Sequence, residues 1–330
     1  MSIPTNPFGK LNTPVSRLGF GAMGLGGSFG EHDERALVDS VLHSLEKGIT
    51  FIDTARNYGE SERIVGLALK EWKGERPFIA SKIQSKGPGN LGWGQPIPVE
   101  TAFPQGWLRE STEQSLRQLG VETIDLMQLH QYWPQWDRVD YWMEELLRLK
   151  EEGKIRGIGV SVPDQRHDIV LSLVQSGRID SVQTVFHIFD PLALDCLIPI
   201  CQENNVAVIA RCILDEGGLT GFLQEDTVFG PDDFRKSYFD YLPRSIYIER
   251  VNRLSEAFVP KHASSLAELA IKFVLHHPGV TAAISSMHVP KYADENIAAA
   301  SGERLPEEVF EEIRRHYRWV RNFYETKYWV

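Results

Sequence analysis

Short runs of apolar and β-branched residues alternate along the chain with longer stretches in which apolar positions recur every three or four residues. The short runs are typical of buried strands, and the longer stretches are typical of amphipathic helices. Predicted strands cover residues 18–21, 49–53, 77–81, 124–129, 155–160, 181–184, 206–210 and 280–284. Predicted helices cover residues 34–47, 60–72, 108–119, 139–152, 164–175, 192–203 and 264–276. Glycines directly follow several of these helices, which is a common way for a helix to end.

The elements alternate strand and helix without an intervening linker. Such a series predicts parallel strands joined by right-handed helical crossovers. Eight strands close an α/β fold of the (β/α)₈ TIM-barrel type, and we expect residues 1–330 to form one such domain. An open doubly wound sheet is the alternative. We also predict an N-terminal hairpin turning at residues 12–14 below the barrel, long loops at its C-terminal rim, and a C-terminal helix over residues 316–330, anchored by Tyr328 and Trp329.

Residues 19–24 read GFGAMG and fit the dinucleotide-binding pattern G-x-G-x-x-G. That pattern needs a helix that opens on its last glycine. Five glycines between residues 21 and 30 oppose a helix here, because each costs a helix interior about 1 kcal/mol. We therefore interpret this stretch as a loop after the first strand, and we reject a Rossmann site.

The composition narrows the class of protein. A formal net charge of −10 argues against nucleic acid as a partner. Apolar runs fall short of the roughly 20 residues that a membrane span needs, so we expect no membrane partner. Cys196, Cys201 and Cys212 form no C-x-x-C pair, which favours reduced thiols and a cytoplasmic location. The sequence leaves open whether the protein is a monomer or a homo-oligomer.

Polar side chains stand at the ends of five predicted strands. They are Asp53, Lys82, His130, Ser161 and Gln183. In a barrel these strand ends meet at one rim, where catalytic groups lie. Each residue alone also fits a structural role: Asp53 and Lys82 as a buried ion pair, and His130 as a hydrogen-bonded core histidine. Their convergence favours a shared site.

Tyr58 adds a proton donor five residues after Asp53. A free tyrosine has a pKa near 10, and an adjacent ammonium group lowers it. Asp, Tyr, Lys and His at one rim suit protonation of an oxygen that gains negative charge, as in reduction of a carbonyl by hydride. A tyrosine that only packs the loop is the alternative. A metal-dependent hydrolase is disfavoured, because Lys82 and Tyr58 stand where metal ligands would be needed, and we expect no metal.

Several motifs of the chain are specific: FIDTARNYGESERIVGLAL, Ser81-Lys82, SLRQLGVETIDLMQLH, GKIRGIGVS and EGGLTG. Through these motifs the chain resembles the aldo-keto reductase family from about residue 14 to residue 300. The resemblance implies a nicotinamide cofactor, NADP(H) more often than NAD(H). It also implies that Tyr58 is the general acid, that Lys82 and Asp53 support it, and that His130 orients the carbonyl. Matching positions predict these cofactor-binding residues: Gly21, Met23, Asp53, Ser161, Gln183, Arg211, Leu214, Gly217, Leu219, Ser286, Met287, Lys291, Tyr292, Glu295 and Asn296.

Several positions depart from the family pattern, and one of them is Ser285-Ser286 in place of the usual Pro-Gly or Lys-Ser after the eighth strand. Val162 replaces a common asparagine, so one hydrogen bond to the carboxamide is missing. Arg211 stands where an aromatic ring often stacks on the nicotinamide. A planar guanidinium also stacks, and the alternative role for Arg211 is a salt bridge to Asp215 or Glu216. Tyr292 replaces an arginine that often binds the 2′-phosphate. We therefore expect NADP(H) to be preferred by a small margin, with Lys291 nearby and NAD(H) also possible.

The substrate is predicted from two long rim segments, residues 84–106 and 215–244. With the loop after His130 they bring many aromatic side chains towards the rim, and we predict that Trp93 and Trp133 bind substrate beside Tyr58 and His130. An aromatic or sugar-like carbonyl suits such a lining. A hydrophobic cluster that holds the loops down explains the aromatic residues equally well.

The predicted function is an NAD(P)H-dependent oxidoreductase that reduces an aldehyde or ketone to an alcohol. The alternative is a cofactor-binding regulatory subunit of the same fold.

Overall fold

The computed structural model describes residues 3–30, 32–86, 96–231, 233–240 and 243–321. Strands within these ranges are β1 (Thr5–Pro7), β2 (Pro14–Ser16), β3 (Leu18–Gly21), β4 (Phe51–Asp53), β5 (Phe78–Ile83), β6 (Ile124–Leu129), β7 (Ile155–Ser161), β8 (Ser181–Val185), β9 (Ala207–Arg211) and β10 (Ala282–Ser286). Helices are α1 (Glu34–Glu46), α2 (Ser61–Glu71), α3 (Val99–Ala102), α4 (Trp107–Leu119), α5 (Tyr141–Glu151), α6 (Leu171–Gln175), α7 (Leu197–Glu203), α8 (Arg235–Phe239), α9 (Arg244–Phe258), α10 (Leu266–His276), α11 (Pro290–Ser301) and α12 (Glu307–His316).

Strands β3 to β10 form a closed barrel in chain order, with β10 hydrogen-bonded to β3. Every neighbouring pair in the barrel is parallel. The (β/α)₈ prediction is therefore confirmed, and the open-sheet alternative is wrong. The register sets Gly21 against both Asp53 and Ser286, and Ser161 against Gln183. Because all eight strands run the same way, these residues lie at one rim.

The N-terminal hairpin is also confirmed, and its position explains how the barrel is closed from below. Strands β1 and β2 are antiparallel, and Asn12 adopts the left-handed conformation that the turn requires. Phe8 between them is buried, with its ring centroid 4.6 Å from Phe78 and 5.9 Å from Phe51. The hairpin thus covers the end of the barrel opposite the rim.

Two predicted helices are shorter than their patterns indicate. Residues 164–166 form no helix, and a 3₁₀ turn over His167–Val170 precedes α6. A 3₁₀ turn at Leu192–Leu194 likewise precedes α7. Gln165 has a positive φ of 61°, which is incompatible with a right-handed helix. The loop after β7 is therefore longer at the rim than the sequence pattern predicts.

The predicted helix over residues 316–330 is wrong for residues 317–321, because α12 ends at His316. Beyond it, the backbone N–H of Trp319 donates to the carbonyl of Phe189, and Arg321 forms an ion pair with Asp215. These contacts draw the segment across the rim and away from a helical path. Tyr328 and Trp329 lie outside the described residues.

Candidate active site

The C-terminal rim of the barrel opens into a cavity of about 1230 Å³. Asp53, Tyr58, His130 and Gln183 all line it. Most single-ligand pockets span roughly 300–1,000 Å³. The cavity is therefore large enough for an extended ligand and a second small molecule.

The four predicted catalytic residues meet at the floor of this cavity. Lys82 and Asp53 form an ion pair that is almost entirely buried, and the Lys82 ammonium also donates to the carbonyl oxygen of Thr54 at 2.9 Å. The Lys82 Nζ lies 5.0 Å from the centroid of the Tyr58 ring. The Tyr58 and His130 rings meet edge to face at 5.6 Å between centroids. The structure thus brings together all four residues from three segments: β4 with the loop after it, β5, and the end of β6.

Asp53 is held by two amides as well as by Lys82. Its Oδ2 atom accepts a hydrogen bond from Gln183 Nε2 at 2.9 Å and one from Gln128 Nε2 at 3.2 Å. Gln128 lies within β6 and is completely buried, and sequence reasoning missed it. A glutamine inside an otherwise apolar strand was the available signal, since a buried amide needs polar partners.

The glycine-rich segment after β3 supports the Tyr58 loop. A side chain at Gly26 would collide with the backbone carbonyl of Tyr58, so only glycine allows this approach. Ser61 Oγ donates to the carbonyl of Ala22 at 2.7 Å and ties α2 to the same segment. These contacts place the tyrosine over the cavity and give the stretch GFGAMG a structural role that needs no Rossmann helix.

Burial decides the protonation states of the site. It raises the pKa of Tyr58 above its ordinary value, and the opposing effect of Lys82 is smaller. The sequence-based expectation of a lowered tyrosine pKa is therefore wrong for the protein by itself. Burial also acts to lower the pKa of Lys82, yet Asp53 and Tyr58 keep it above its ordinary value. The pKa of His130 lies well below its ordinary value because of burial and the nearby Lys82 and Arg211 cations. At neutral pH, Tyr58 is a phenol, Lys82 an ammonium and His130 a neutral imidazole.

Eleven of the predicted cofactor-binding residues line the cavity. They are Gly21, Met23, Asp53, Gln183, Arg211, Leu214, Gly217, Ser286, Tyr292, Glu295 and Asn296. Leu219 and Met287 do not, because both side chains are completely buried in the core. Lys291 also lies outside the lining: its side chain is 77% exposed and its ammonium is 3.8 Å from Glu295. These three predictions are not supported by the geometry.

Ser161 is placed differently from the other candidates. Its side chain is 1% exposed and lies beside Gln183 in the strand register. Its Oγ has no hydrogen-bond partner among the described residues. A buried hydroxyl without a partner is costly, and Gln183, its neighbour in the strand register, lines the cavity.

Arg211 is paired with a residue that the sequence did not indicate. Its Nη2 atom donates to Asp164 Oδ1 at 2.6 Å and to the carbonyl of Val162 at 3.1 Å. The expected partners are otherwise engaged: Glu216 accepts from the Cys212 thiol at 3.0 Å, and Asp215 from Tyr247 at 2.7 Å. The alternative of a salt bridge is thus correct in kind and wrong in partner.

Further cavity residues come from loops, and among them Arg235 lies in the rim segment 215–244 that the sequence indicated. The Phe29 ring stacks on His288 at 5.6 Å between centroids. The Arg235 guanidinium lies 5.1 Å from the centroid of the same Phe29 ring. Trp319 and Arg321 enter the lining from the segment after α12. Their positions depend on tertiary contacts between distant loops, which a local pattern does not encode.

The aromatic residues after β6 mostly pack away from the cavity. Tyr132 and Trp136 are buried, and Trp136 meets Phe103 edge to face at 5.2 Å between centroids. Trp133 is 3% exposed and is not among the lining residues, whereas Trp93 lies outside the described residues. These contacts favour the hydrophobic-cluster alternative for this loop, and substrate binding by Trp133 stays a prediction. Side-chain amides line the cavity near Tyr58 and His130 instead, from Asn57, Gln84, Gln131 and Gln165.

Two kinds of site are absent from the part of the chain that the structure describes. No group of three or more His, Cys, Asp or Glu side chains there is placed to hold a metal ion. In the same residues, every helix is too short or too polar to cross a membrane.

Comparison with known proteins agrees with this geometry. The model of the aldo/keto reductase family matches residues 17–318. The chain belongs to the aldo/keto reductase family. As a member it is an oxidoreductase that acts on carbonyl groups with NAD(P)H.

Similar proteins include the NADH-specific methylglyoxal reductase of Escherichia coli, which is 29% identical over 308 residues, covering 89% of this chain and 92% of that protein. Aldo-keto reductase YhdN of Bacillus subtilis is 30% identical over 284 residues, covering 84% and 82%. Among solved structures, the glycerol dehydrogenase AKR11B4 from Gluconobacter oxydans is 27% identical with a TM-score of 0.74, and the alignment covers 97% of this chain and 98% of that one.

Proposed function

We propose that this aldo/keto reductase reduces a small aldehyde or ketone to an alcohol, with Tyr58 as the general acid. The observation that carries the proposal is the placement of Tyr58 next to both the buried Lys82–Asp53 pair and the His130 ring. The alternative of a regulatory subunit is not favoured, because all four residues are present together and three of them, Asp53, Tyr58 and His130, line a cavity.

Each of the four side chains has a distinct task. The raised pKa keeps the proton on Tyr58 until the carbonyl oxygen gains charge. The Lys82 ammonium stabilises the phenolate that forms when the proton leaves, and Asp53 keeps that ammonium in position. A neutral His130 donates a hydrogen bond to the same oxygen without competing as a proton source. Hydride is supplied by the nicotinamide cofactor when it is bound.

The cavity residues fit such a cofactor. Ser161 Oγ needs a partner, Gln183 lies beside it, and Arg211 offers a planar guanidinium at the end of the next strand. Gly217 adopts a left-handed conformation, with φ of 93°, in the loop that follows. We propose that the carboxamide meets Ser161 and Gln183 and that the ring lies against Arg211.

Cofactor choice is the next part of the proposal. Tyr292 lines the cavity where an arginine is common in the family, and Lys291 is turned to solvent. The only arginines in the described lining are Arg211, Arg235 and Arg321. Arg235 packs against the Phe29 ring, which in turn stacks on His288. We therefore propose that NADPH and NADH both bind, with NADPH ahead by a small margin. The NADH-specific relative in Escherichia coli is consistent with a narrow margin.

The substrate class follows from the polar lining. Asn57, Gln84, Gln131 and Gln165 line the same cavity as Tyr58 and His130. Amides donate and accept hydrogen bonds, as hydroxyl groups require. We therefore propose small hydroxylated or dicarbonyl substrates, of the size of the compounds named for the related methylglyoxal reductase and glycerol dehydrogenase. The aromatic carbonyl that the sequence also allowed is disfavoured.

The location follows from cysteine chemistry. Cys196, Cys201 and Cys212 are all free thiols in the structure. Proteins of a reducing compartment keep their cysteines in this state. We propose a cytoplasmic location, to be checked by cell fractionation.

The experiment pairs a substrate panel with one variant. Purified protein is assayed with NADPH and NADH on glyceraldehyde, glycolaldehyde and methylglyoxal, and on butanal and benzaldehyde as apolar counterparts. Tyr58→Phe should lower kcat roughly 10²-fold to 10⁴-fold, the usual contribution of general acid catalysis, with cofactor affinity unchanged. Tyr132→Phe is the matched control, because the Tyr132 hydroxyl donates to Asp137 at 2.6 Å and Tyr132 does not line the cavity.

Full activity of Tyr58→Phe would remove Tyr58 from the mechanism. A preference for butanal or benzaldehyde would contradict the hydroxylated substrate class while leaving the reductase function intact.

A further inference from the structure

The Arg211–Asp164 pair lies on the wall of the cavity, and Glu216 is near enough to interact electrostatically with both side chains. The Arg211 side chain is 13% exposed and that of Asp164 is 33% exposed, and both line the cavity. Although burial acts to lower it, the pKa of Arg211 stays above its ordinary value, chiefly because of Asp164. Arg211 is therefore a full cation at every pH at which the enzyme works, and Asp164 is its counter-ion.

A nicotinamide ring changes its charge when it is reduced. The oxidised ring carries one positive charge and the reduced ring is neutral. A guanidinium against the ring therefore repels the oxidised form and leaves the reduced form nearly unaffected. At stacking distance, two like unit charges interact strongly even at an effective dielectric constant of about 20. A carboxylate bound to that guanidinium cancels most of the repulsion.

We propose that Asp164 sets the relative affinity of the enzyme for oxidised and reduced cofactor, by neutralising Arg211 beneath the nicotinamide ring. The inference rests on the proposed function, which places the ring against Arg211. Asp164 touches Arg211 at 2.6 Å and acts through it, so it is a positioning and charge-setting residue and not a catalytic one.

The neighbouring charges leave this role to Asp164. Lys82 is neutralised by Asp53 in a separate buried pair. Glu216, another acid in the lining, interacts electrostatically with Arg211 and Asp164 and accepts a hydrogen bond from the Cys212 thiol, and Asp215 is engaged by Arg321. Asp164 contacts Arg211 directly through a charged hydrogen bond, which makes it the best-placed counter-ion.

The proposal predicts effects of opposite sign from the two members of the pair. Asp164→Asn keeps an acceptor for Arg211 and removes only the negative charge. It should raise the ratio of the Kd for NADP⁺ to the Kd for NADPH by about tenfold, since the lost charge would act on the ring through the guanidinium and with partial solvent screening. For a two-electron couple, tenfold corresponds to a shift of about 30 mV in the potential of the bound cofactor. Arg211→Leu leaves Asp164 unpaired and should lower the ratio, and the double variant should return near the wild-type ratio.

The measurement is a titration of each protein with NADPH, with NADP⁺ and with ADP-ribose, followed by tryptophan fluorescence and calorimetry. ADP-ribose lacks the nicotinamide, so an unchanged affinity for it shows that a variant is folded. Asp168→Asn is the matched control: it removes the same charge from the same loop region, where Asp168 is 66% exposed and pairs with Arg166. Asp164→Glu keeps the negative charge, so its ratio of the Kd for NADP⁺ to the Kd for NADPH should equal that of the wild type.

The outcomes separate the inference from the proposed function. A ratio in Asp164→Asn equal to that of Asp168→Asn overturns the inference. Equal weakening of both cofactor forms also overturns it, because that is the signature of a structural role. If Arg211→Leu changes neither affinity while turnover persists, the ring lies elsewhere and the inference fails although the activity stands. If neither cofactor binds the wild-type protein, the proposed function fails first.

Discussion

Replacement of Lys82 by methionine removes a buried cation while preserving the length and apolar character of its side chain. Lys82 is 0% exposed and Asp53 is 1% exposed, so the variant leaves a carboxylate in the barrel interior without its counter-ion. Breaking a buried ion pair from one side typically costs 3–5 kcal/mol. The same change removes the charge that stabilises the phenolate of Tyr58. We therefore expect losses of both stability and turnover.

The magnitude depends on what remains around Asp53. Two amide donors persist, Gln183 Nε2 at 2.9 Å and Gln128 Nε2 at 3.2 Å. Because hydrogen bonds to a charged group are each worth roughly 1.5–3 kcal/mol, they partly replace the lost solvation. We expect a decrease of about 3 kcal/mol in the free energy of unfolding, near the lower end of the range. For a chain of 330 residues this lowers the Tm by about 4 °C.

The double variant Asp53→Asn/Lys82→Met separates stability from catalysis. It replaces the ion pair by neutral groups, and such replacements are often close to neutral for folding. Its stability should return to within about 1 kcal/mol of the wild type. Turnover should stay roughly 10²-fold or more below the wild type in both variants, because neither supplies a cation beside Tyr58.

The assay combines urea denaturation, followed by tryptophan fluorescence at pH 8, with steady-state kinetics at saturating cofactor. A cost below about 1 kcal/mol for Lys82→Met would show that the pair is not buried as described. A double variant as unstable as Lys82→Met would refute the reasoning that an unpaired carboxylate causes the loss. Wild-type kcat in either variant would remove Lys82 from the proposed mechanism.

Three further predictions test the cofactor site and its pH response. Ser161→Ala should weaken binding of NADPH several-fold and leave binding of ADP-ribose unchanged, because only the carboxamide meets its hydroxyl; calorimetry of both ligands decides. Lys291→Ala should change the Kd for NADPH little, since its ammonium is solvated, whereas Tyr292→Arg should strengthen NADPH over NADH; an effect of Lys291→Ala as large as that of Tyr292→Arg would contradict the placement. Burial and His32 lower the pKa of His288 to about 4, below its unfolded value near 6.5. Between these two pH values the native state binds fewer protons than the unfolded state. The free energy of unfolding therefore falls as the pH drops from 6.5 towards 4. His288→Gln should remove roughly 2 kcal/mol of that loss at pH 5, measured by urea denaturation between pH 8 and pH 4.5.

The order of strands and the position of the catalytic rim were predictable from the sequence, because both depend on short-range patterns. Runs such as that of β6, which lies between two amphipathic helices, identify a buried strand without knowledge of its neighbours. Eight such units close a barrel, and parallel strands bring Asp53, Lys82 and His130 to one end. Family motifs then supplied the role of each residue, and the ion pair of Asp53 and Lys82 followed.

Tertiary structure decided everything that depends on burial or on a partner far along the chain. Arg211 pairs with Asp164 across 47 residues, and no pattern in either segment indicates this choice over Asp215 or Glu216. The segment after α12 leaves its helical path because Arg321 reaches Asp215, 106 residues earlier. The pKa of Tyr58 is raised because desolvation outweighs the attraction of Lys82, and desolvation exists only once the barrel has closed around the side chain.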